Sequence, residues 1–354
     1  MTTPRIDIDL AKIAHNAKKL KGIYGSKGIG VIGVTKVVCG DPRIADVLVK
    51  SGINTLADSR ITNIKRMREA GIKAQFVLLR TPPSQAESVV KYADISLNSE
   101  LSVVKILSKF AMNNNTTHKI ILMVELGDLR EGVIPSDLED TVKEVMSLEG
   151  IELAGIGTNL ACFGGIKPDE EKMGYLSSLA RDIEERLGLT LEFVSGGNSA
   201  NYTWFVSTED VGRVNNLRLG ESIYLGCETL YRTPIPGLYT DAFTMIAEVI
   251  ESKIKPSIPY GEVCQDTFGN IPEFQDHGQI RRVILGVGLQ DVLVSGLTPR
   301  LDIDILGASS DHIILSAKQV DLKVGNEVVF NLNYGALLSV MTSPYVIKRY
   351  VNGL

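Results

Sequence analysis

The chain has 354 residues, with 37 Lys and Arg against 42 Asp and Glu, a formal charge of −5. At about 150 residues per domain the length predicts two domains, or a barrel of about 250 residues with a smaller partner. The mild acidity excludes an overall electrostatic footprint for nucleic acid, and no apolar stretch approaches the ~18 residues of a membrane span.

The opening, MTTPRIDIDLAKIAHN, has acids among its first ten residues and no apolar core of a signal peptide. Four cysteines (Cys39, Cys162, Cys227, Cys264) and four histidines (His15, His118, His277, His312) are dispersed, without a CxxC pair. No metal site and no disulfide framework is expected, and a reducing, cytoplasmic compartment is the default.

Short apolar runs then recur at 31–38, 53–57, 75–79, 93–97, 119–125, 151–158, 191–195 and 216–225, which makes eight candidate strands. Between them DPRIADVLVKSG, ITNIKRMREAG, SDLEDTVKEVMSLEG and SSLARDIEERLG carry helical apolar spacing and end in glycine. Ile, Val and Leu strands alternating with helices predict a parallel sheet covered by helices. Eight such units match a (β/α)8 TIM-type barrel, with a doubly wound open sheet as the competitor.

After residue 236 the texture changes to short alternating runs broken by Gly, Pro and Asp, with no long helical pattern. The predicted division is therefore a barrel domain over 1–235 and a C-terminal all-β domain over 236–354, with PIPG at 234–237 as the link.

Barrel active sites lie at the C-terminal ends of the strands. The first run carries Lys36 among apolar residues. Such a lysine either reaches water at the strand mouth or serves as a Schiff-base amine made nucleophilic by its surroundings. The seventh run is followed by Ser195-Gly196-Gly197-Asn198-Ser199-Ala200, and the eighth contains Arg218-Leu219-Gly220-Glu221. Glycines admit an anion close to the backbone, and Ser199 is placed to open a helix whose N–H groups face a phosphate. A lysine on the first strand with anion-binding turns after the last two points to pyridoxal 5'-phosphate.

At these residues the chain resembles the alanine-racemase-like, fold-type III pyridoxal-phosphate enzymes. IDIDLAKIAHNAKKL is similar to their opening segment, TKVVCG to the cofactor-lysine turn, GIGTNLACFG to "GxxTHFA" with Asn159 in the histidine's place, GGNSA to "xNSA", and LRLGESIYLG to "vRpGixLYG". ELGDLREG, LGASSDH and GVGLQDV resemble the branch that contains ornithine racemase and related amino-acid racemases.

The resemblance implies that Lys36 holds the cofactor and that Asn159, Asn198, Ser199, Gly220 and Glu221 surround it, with Arg218 facing the pyridine nitrogen. Arg130 would lie near the substrate carboxylate. The upstream lysine of alanine racemases is Met123 here, and the tyrosine of their "GYADG" motif is Leu289, which cannot transfer a proton. The second acid/base is therefore expected in Ser310-Asp311-His312, where related decarboxylases carry "GPTCD". Tyr334 and Tyr345 are further candidates, and Cys39 and Cys162 are reserves within the barrel.

The implied activity is interconversion of the L and D forms of ornithine, or of lysine or a broader range of basic amino acids, in a homodimer with shared sites. A basic amino-acid decarboxylase is the alternative. Asp128, Glu131, Glu228 and Asp311 are the carboxylates considered for a distal amine.

Overall fold

The computed structural model describes residues 2–266 and 268–352. The chain forms two compact units, one made of Ala11–Thr240 and the other of the residues up to Leu10 together with those from Asp241 onward.

The first strand, β1 (Arg5–Asp9), belongs to the second unit. Then eight parallel strands follow: β2 (Gly30–Val34), β3 (Thr55–Asp58), β4 (Gln75–Leu78), β5 (Ile95–Asn98), β6 (His118–Met123), β7 (Ile151–Gly157), β8 (Phe193–Ser195) and β9 (Asn216–Leu219). They close into a barrel, because β9 pairs back onto β2. The barrel expectation is borne out and the open sheet is excluded.

The helices of this unit are α1 (Leu10–Gly25), α2 (Pro42–Lys50), α3 (Ile61–Glu69), α4 (Ala86–Tyr92), α5 (Leu101–Asn113), α6 (Leu138–Met146), α7 (Glu170–Leu187), α8 (Tyr202–Ser207) and α9 (Glu221–Leu225). Their ends follow from local chemistry. Asp41 caps α2 by accepting from the N–H groups of Arg43 (2.9 Å) and Ile44 (3.2 Å), with Pro42 at the first helical position. Gly188 ends α7 at φ 64°, a left-handed geometry that favours glycine.

Ile32, Val34, Ala57, Val77, Ile95, Leu97, Ile121 and Met123 fill the barrel interior. Each of these side chains larger than Ala57 contributes about 1.5–3 kcal/mol on burial. Ile32 sits opposite Arg218 in the β2–β9 register, so Arg218 also points inward.

In the second unit β10 (Phe243–Pro256), β11 (Gln279–Leu285), β12 (Leu297–Pro299), β13 (Asp304–Ala308), β14 (Ile313–Ser316), β15 (Glu327–Leu332) and β16 (Ile347–Val351) form one sheet with β1. Its pairing is antiparallel except between β1 and β16.

Two features differ from the sequence expectation. The first ten residues, assigned to the barrel by position, leave it. β1 pairs with β10 and β16, and Arg5 forks onto Glu327 at 2.6 and 2.7 Å. Also, a nine-residue helix, α10 (Tyr334–Thr342), interrupts the β region, capped by the Asn333 side chain at 2.9 Å from the Ala336 N–H. Its low apolar contrast hid it: ALLSVM is apolar nearly all round, so no amphipathic period was visible.

Candidate active site

The candidate lysine does not lie inside a strand. β2 ends at Val34, and Lys36 opens a single 3-10 turn, Lys36–Val38. That turn is held from several sides. The Thr35 N–H donates to the Ala57 carbonyl at 2.8 Å, and the Gly40 N–H returns to the Thr35 carbonyl at 3.0 Å. Gly40 has φ 58°, and a Cβ there would stand 2.7 Å from the Cβ of Asn63.

Beneath the turn the fully buried Asp58 carboxylate accepts from the Thr35 hydroxyl (2.8 Å), the Arg60 N–H (2.9 Å) and Asn63 Nδ2 (3.0 Å). Burial raises the pKa of Asp58 from its ordinary value, although these donors oppose the shift. Arg66 Nη2 completes the network, donating to Asn63 Oδ1 and the Cys39 carbonyl, both at 2.5 Å.

Across the barrel mouth Arg218 is buried. Its Nη1 donates to Ser195 Oγ at 2.5 Å, and its Nη2 donates to the Thr158 carbonyl at 2.7 Å and Asn159 Oδ1 at 3.3 Å. Burial lowers its pKa to about 10, which leaves it cationic and a donor only at neutral pH.

Asn198 Nδ2 donates to the Leu160 carbonyl (2.8 Å) and Asn159 Oδ1 (3.1 Å), while Asn198 Oδ1 accepts from the Ala200 N–H at 2.8 Å. Two donors therefore converge on Asn159 Oδ1, which fixes the orientation of that amide. Asn159 Nδ2 is left buried with no partner among the described residues.

The turn after β8 enters a short 3-10 segment, Ser199–Asn201, that runs into α8, so Ser199 opens a helical stretch as expected. Gly197 has φ 139°, and a Cβ on it would meet Asn201 Oδ1 at 2.3 Å. The eighth strand stops at Leu219, earlier than its apolar run predicts, and Gly220 leads into α9. This brings Ser199 Oγ within 3.0 Å of Ser222 Oγ, with the Ser222 N–H also on Ser199 Oγ at 3.2 Å. Ser222 was not among the sequence candidates, although it lies within LRLGESIYLG.

Glu221 is buried with Arg232 Nη1 3.0 Å from its Oε1. Burial pushes its carboxyl up to about 7; Arg232 and Lys36 pull it down and Glu228 pushes it up.

These residues fit pyridoxal phosphate. The adjacent Ser199 and Ser222 hydroxyls suit a phosphate, and Asn159 Nδ2 is a buried donor lacking an acceptor. Arg218 offers the barrel interior a permanent cation, which suits a ring nitrogen that accepts rather than donates.

The Arg130 guanidinium forks onto the Glu131 carboxylate, which raises its pKa further. Asp128 accepts from the N–H groups of Phe163 and Gly164, both at 3.0 Å, and so ties the Arg130 loop to the loop carrying Cys162. A cavity of about 560 Å³ adjoins Lys36 and Arg130, with Leu79, Leu97, Val103 and Met123 among its apolar lining and Glu100 among its polar lining. Glu100 was absent from the sequence candidates, since nothing local marks a glutamate at the start of α5.

In the β unit Asp311 Oδ1 accepts from Ser309 Oγ (3.2 Å) and Ser310 Oγ (3.3 Å) and faces His312 Nδ1 at 2.8 Å. The neighbouring imidazole holds the Asp311 carboxyl below its usual range. The Leu289 N–H donates to the Ser309 carbonyl at 2.9 Å, and a Cβ on Gly288 would lie 2.5 Å from the Asp311 nitrogen. The turn that carries Leu289 thus packs directly on the turn that carries Ser310, Asp311 and His312. The Tyr345 side chain is exposed, and Tyr334 opens α10.

Among the described residues no three His, Cys, Asp or Glu side chains gather as metal ligands, and no helix is long and apolar enough to cross a membrane.

Comparison with known proteins gives the family and the fold. Ornithine racemase of Acetoanaerobium sticklandii is 41% identical over 98% of this chain and 99% of its own. Lysine racemase of Thermotoga maritima is 40% identical over 99% of both. Among solved structures, alanine racemase of Clostridium difficile 630 superposes with a TM-score of 0.76 at 18% identity, covering 100% of this chain and 97% of its own. Alanine racemase from Streptomyces lavendulae does so at 0.76 and 17%, covering 100% and 99%. At these identities the superpositions establish the fold. The model of the alanine racemase N-terminal domain matches residues 8–228, and the chain belongs to that family.

Proposed function

We propose that the protein is a pyridoxal-phosphate-dependent amino-acid racemase acting on ornithine, with lysine the next substrate. Near-full-length similarity to an ornithine and a lysine racemase supports the substrate class. The observation that carries the reaction type is Arg218, buried and cationic at the inner wall of the barrel mouth.

When bound, pyridoxal phosphate supplies an electron sink for the charge left on the α-carbon when its proton departs. Ser199 and Ser222 would hold the phosphate, and Asn159 and Arg218 would orient the ring. Arg218, a donor only, would face the ring nitrogen without protonating it, which would suit return of a proton to the α-carbon. A decarboxylase is better served by a carboxylate there. Lys36 removes or delivers the α-proton on one face, in the manner of a general base held in place.

The other face needs a group that Leu289 cannot supply. His312 meets that need in a homodimer whose sites are completed by the partner subunit. Asp311 at 2.8 Å orients its Nδ1 side and leaves Nε2 for proton transfer. We place the enzyme in the reducing cytoplasm, in keeping with four dispersed cysteines that form no CxxC pair.

The decisive experiment incubates purified, cofactor-loaded protein with each L-amino acid and resolves the products by chiral chromatography. D-Ornithine formation supports the reading. Release of CO2 without enantiomer exchange overturns it.

A further inference from the structure

We infer that Glu100 is the specificity-determining residue that receives the distal ammonium of a diamino-acid substrate in the cavity beside Lys36. This rests on the racemase reading above and names what selects its substrate.

The inference comes from the duties of the carboxylates around the barrel mouth. Asp58 already accepts three hydrogen bonds beneath the Lys36 turn. Asp128 is held by the N–H groups of Phe163 and Gly164 at 3.0 Å. Glu131 lines the same cavity as Lys36 but is forked by Arg130. Glu221 faces Arg232 at 3.0 Å. Glu228 is buried and accepts from the N–H groups of Leu230 (2.7 Å), Tyr231 (2.9 Å) and Thr233 (2.9 Å). Three of the carboxylates the sequence suggested for a distal amine, Asp128, Glu131 and Glu228, are therefore engaged in holding loops.

Glu100 differs. It precedes α5, its side chain makes no capping bond to that helix, and it lines the same cavity as Lys36. No hydrogen bond or ion pair among the described residues engages its carboxylate.

The rest of the lining fits a chain with charged ends. Leu79, Leu97, Val103 and Met123 offer apolar surface to methylene groups. Met123, at the end of β6, keeps that wall apolar. Arg60 and Arg80 also line the cavity. Both signs of charge are thus present, and a diamino acid, with a carboxylate at one end and an ammonium at the other, is matched on both. Alanine has no group to offer Glu100, so the carboxylate favours the diamino acid over it.

The test compares ornithine with norvaline, which has the same carbon chain without the distal amine. In cofactor-loaded wild-type enzyme, kcat/KM for ornithine exceeds that for norvaline. In Glu100→Gln the ratio falls about 10- to 100-fold, the loss of one charge-assisted hydrogen bond, and Glu100→Asp recovers part of it. Calorimetric binding to borohydride-reduced enzyme, which cannot turn over, shows the same loss of preference for ornithine. An unchanged ratio in Glu100→Gln, or equal losses on both substrates, overturns the inference while leaving the racemase reading intact. A wild-type enzyme that racemises neither ornithine nor lysine removes the reading and the inference with it.

Discussion

The carboxylate of Asp58 lies 2.8 Å from the hydroxyl of Thr35, the residue immediately before Lys36. The candidate nucleophile is therefore positioned from below by a fully buried acid that also holds Asn63 and the Arg60 N–H. Replacing Asp58 by Ala strands these donors in the interior. We expect a loss of about 3–5 kcal/mol in urea unfolding, with Asp58→Asn losing less because it retains an acceptor. A destabilisation under 1 kcal/mol, on the order of a surface change, would show that the network does not anchor the turn.

Lys36→Ala should abolish covalent retention of pyridoxal phosphate. Borohydride reduction of the wild-type protein, digestion and peptide mapping should place the pyridoxyl group on Lys36. A label on any other lysine discards the site assignment.

If Arg218 faces the ring nitrogen as proposed, Arg218→Glu exchanges a permanent donor for an acceptor there. The expected signature is a new long-wavelength absorbance band with substrate, more transamination and slower racemisation. Arg218→Lys serves as a control that keeps the charge. If Arg218→Glu folds, binds cofactor and shows neither spectral nor kinetic change, Arg218 does not set the reaction type.

Glu221 gives a pH prediction. Its carboxyl rises from an ordinary 4.5 to about 7 in the fold, mainly through burial. The native state therefore holds this proton more tightly than the unfolded chain. The stabilisation is fully present below the unfolded value and is lost as pH rises through the interval to about 7. The loss is on the order of 3 kcal/mol. Melting of cofactor-free protein between these limits should fall less steeply with pH in Glu221→Gln than in wild type; parallel curves would contradict the assignment.

His312→Ala should lose racemisation, as should Lys36→Ala. Mixing and refolding the two inactive proteins should restore about a quarter of wild-type activity, because half of random dimers are mixed and each keeps one intact site. No restoration, with a monomer in sedimentation, would move the second base into the barrel, where Cys162 is the next residue to substitute.

Much of the barrel was legible because local chemistry and fold agree there. The eight apolar runs became β2–β9, since a parallel strand buried on both faces must be apolar along its length. The turn after β8 was legible for a similar reason, because Gly197 at φ 139° is a local demand that only glycine meets easily.

What the sequence left open are relations between distant residues. The run 31–38 reads as one strand, but the Lys36 turn leaves the barrel after Val34 because Asp58 captures Thr35 and Asn63 crowds Gly40. RIDID reads as the start of the barrel domain, yet Arg5 finds Glu327, and Asp7 finds Arg349. The shared cavity of Glu100, Lys36 and Met123 joins residues from separate barrel units. Apolar period and glycine placement act over a few residues and so determined the barrel, whereas ion pairing and burial act between segments brought together only by barrel closure and strand pairing. The tertiary structure alone decided which carboxylates hold loops and brought Glu100 and Glu131 to the cavity beside Lys36.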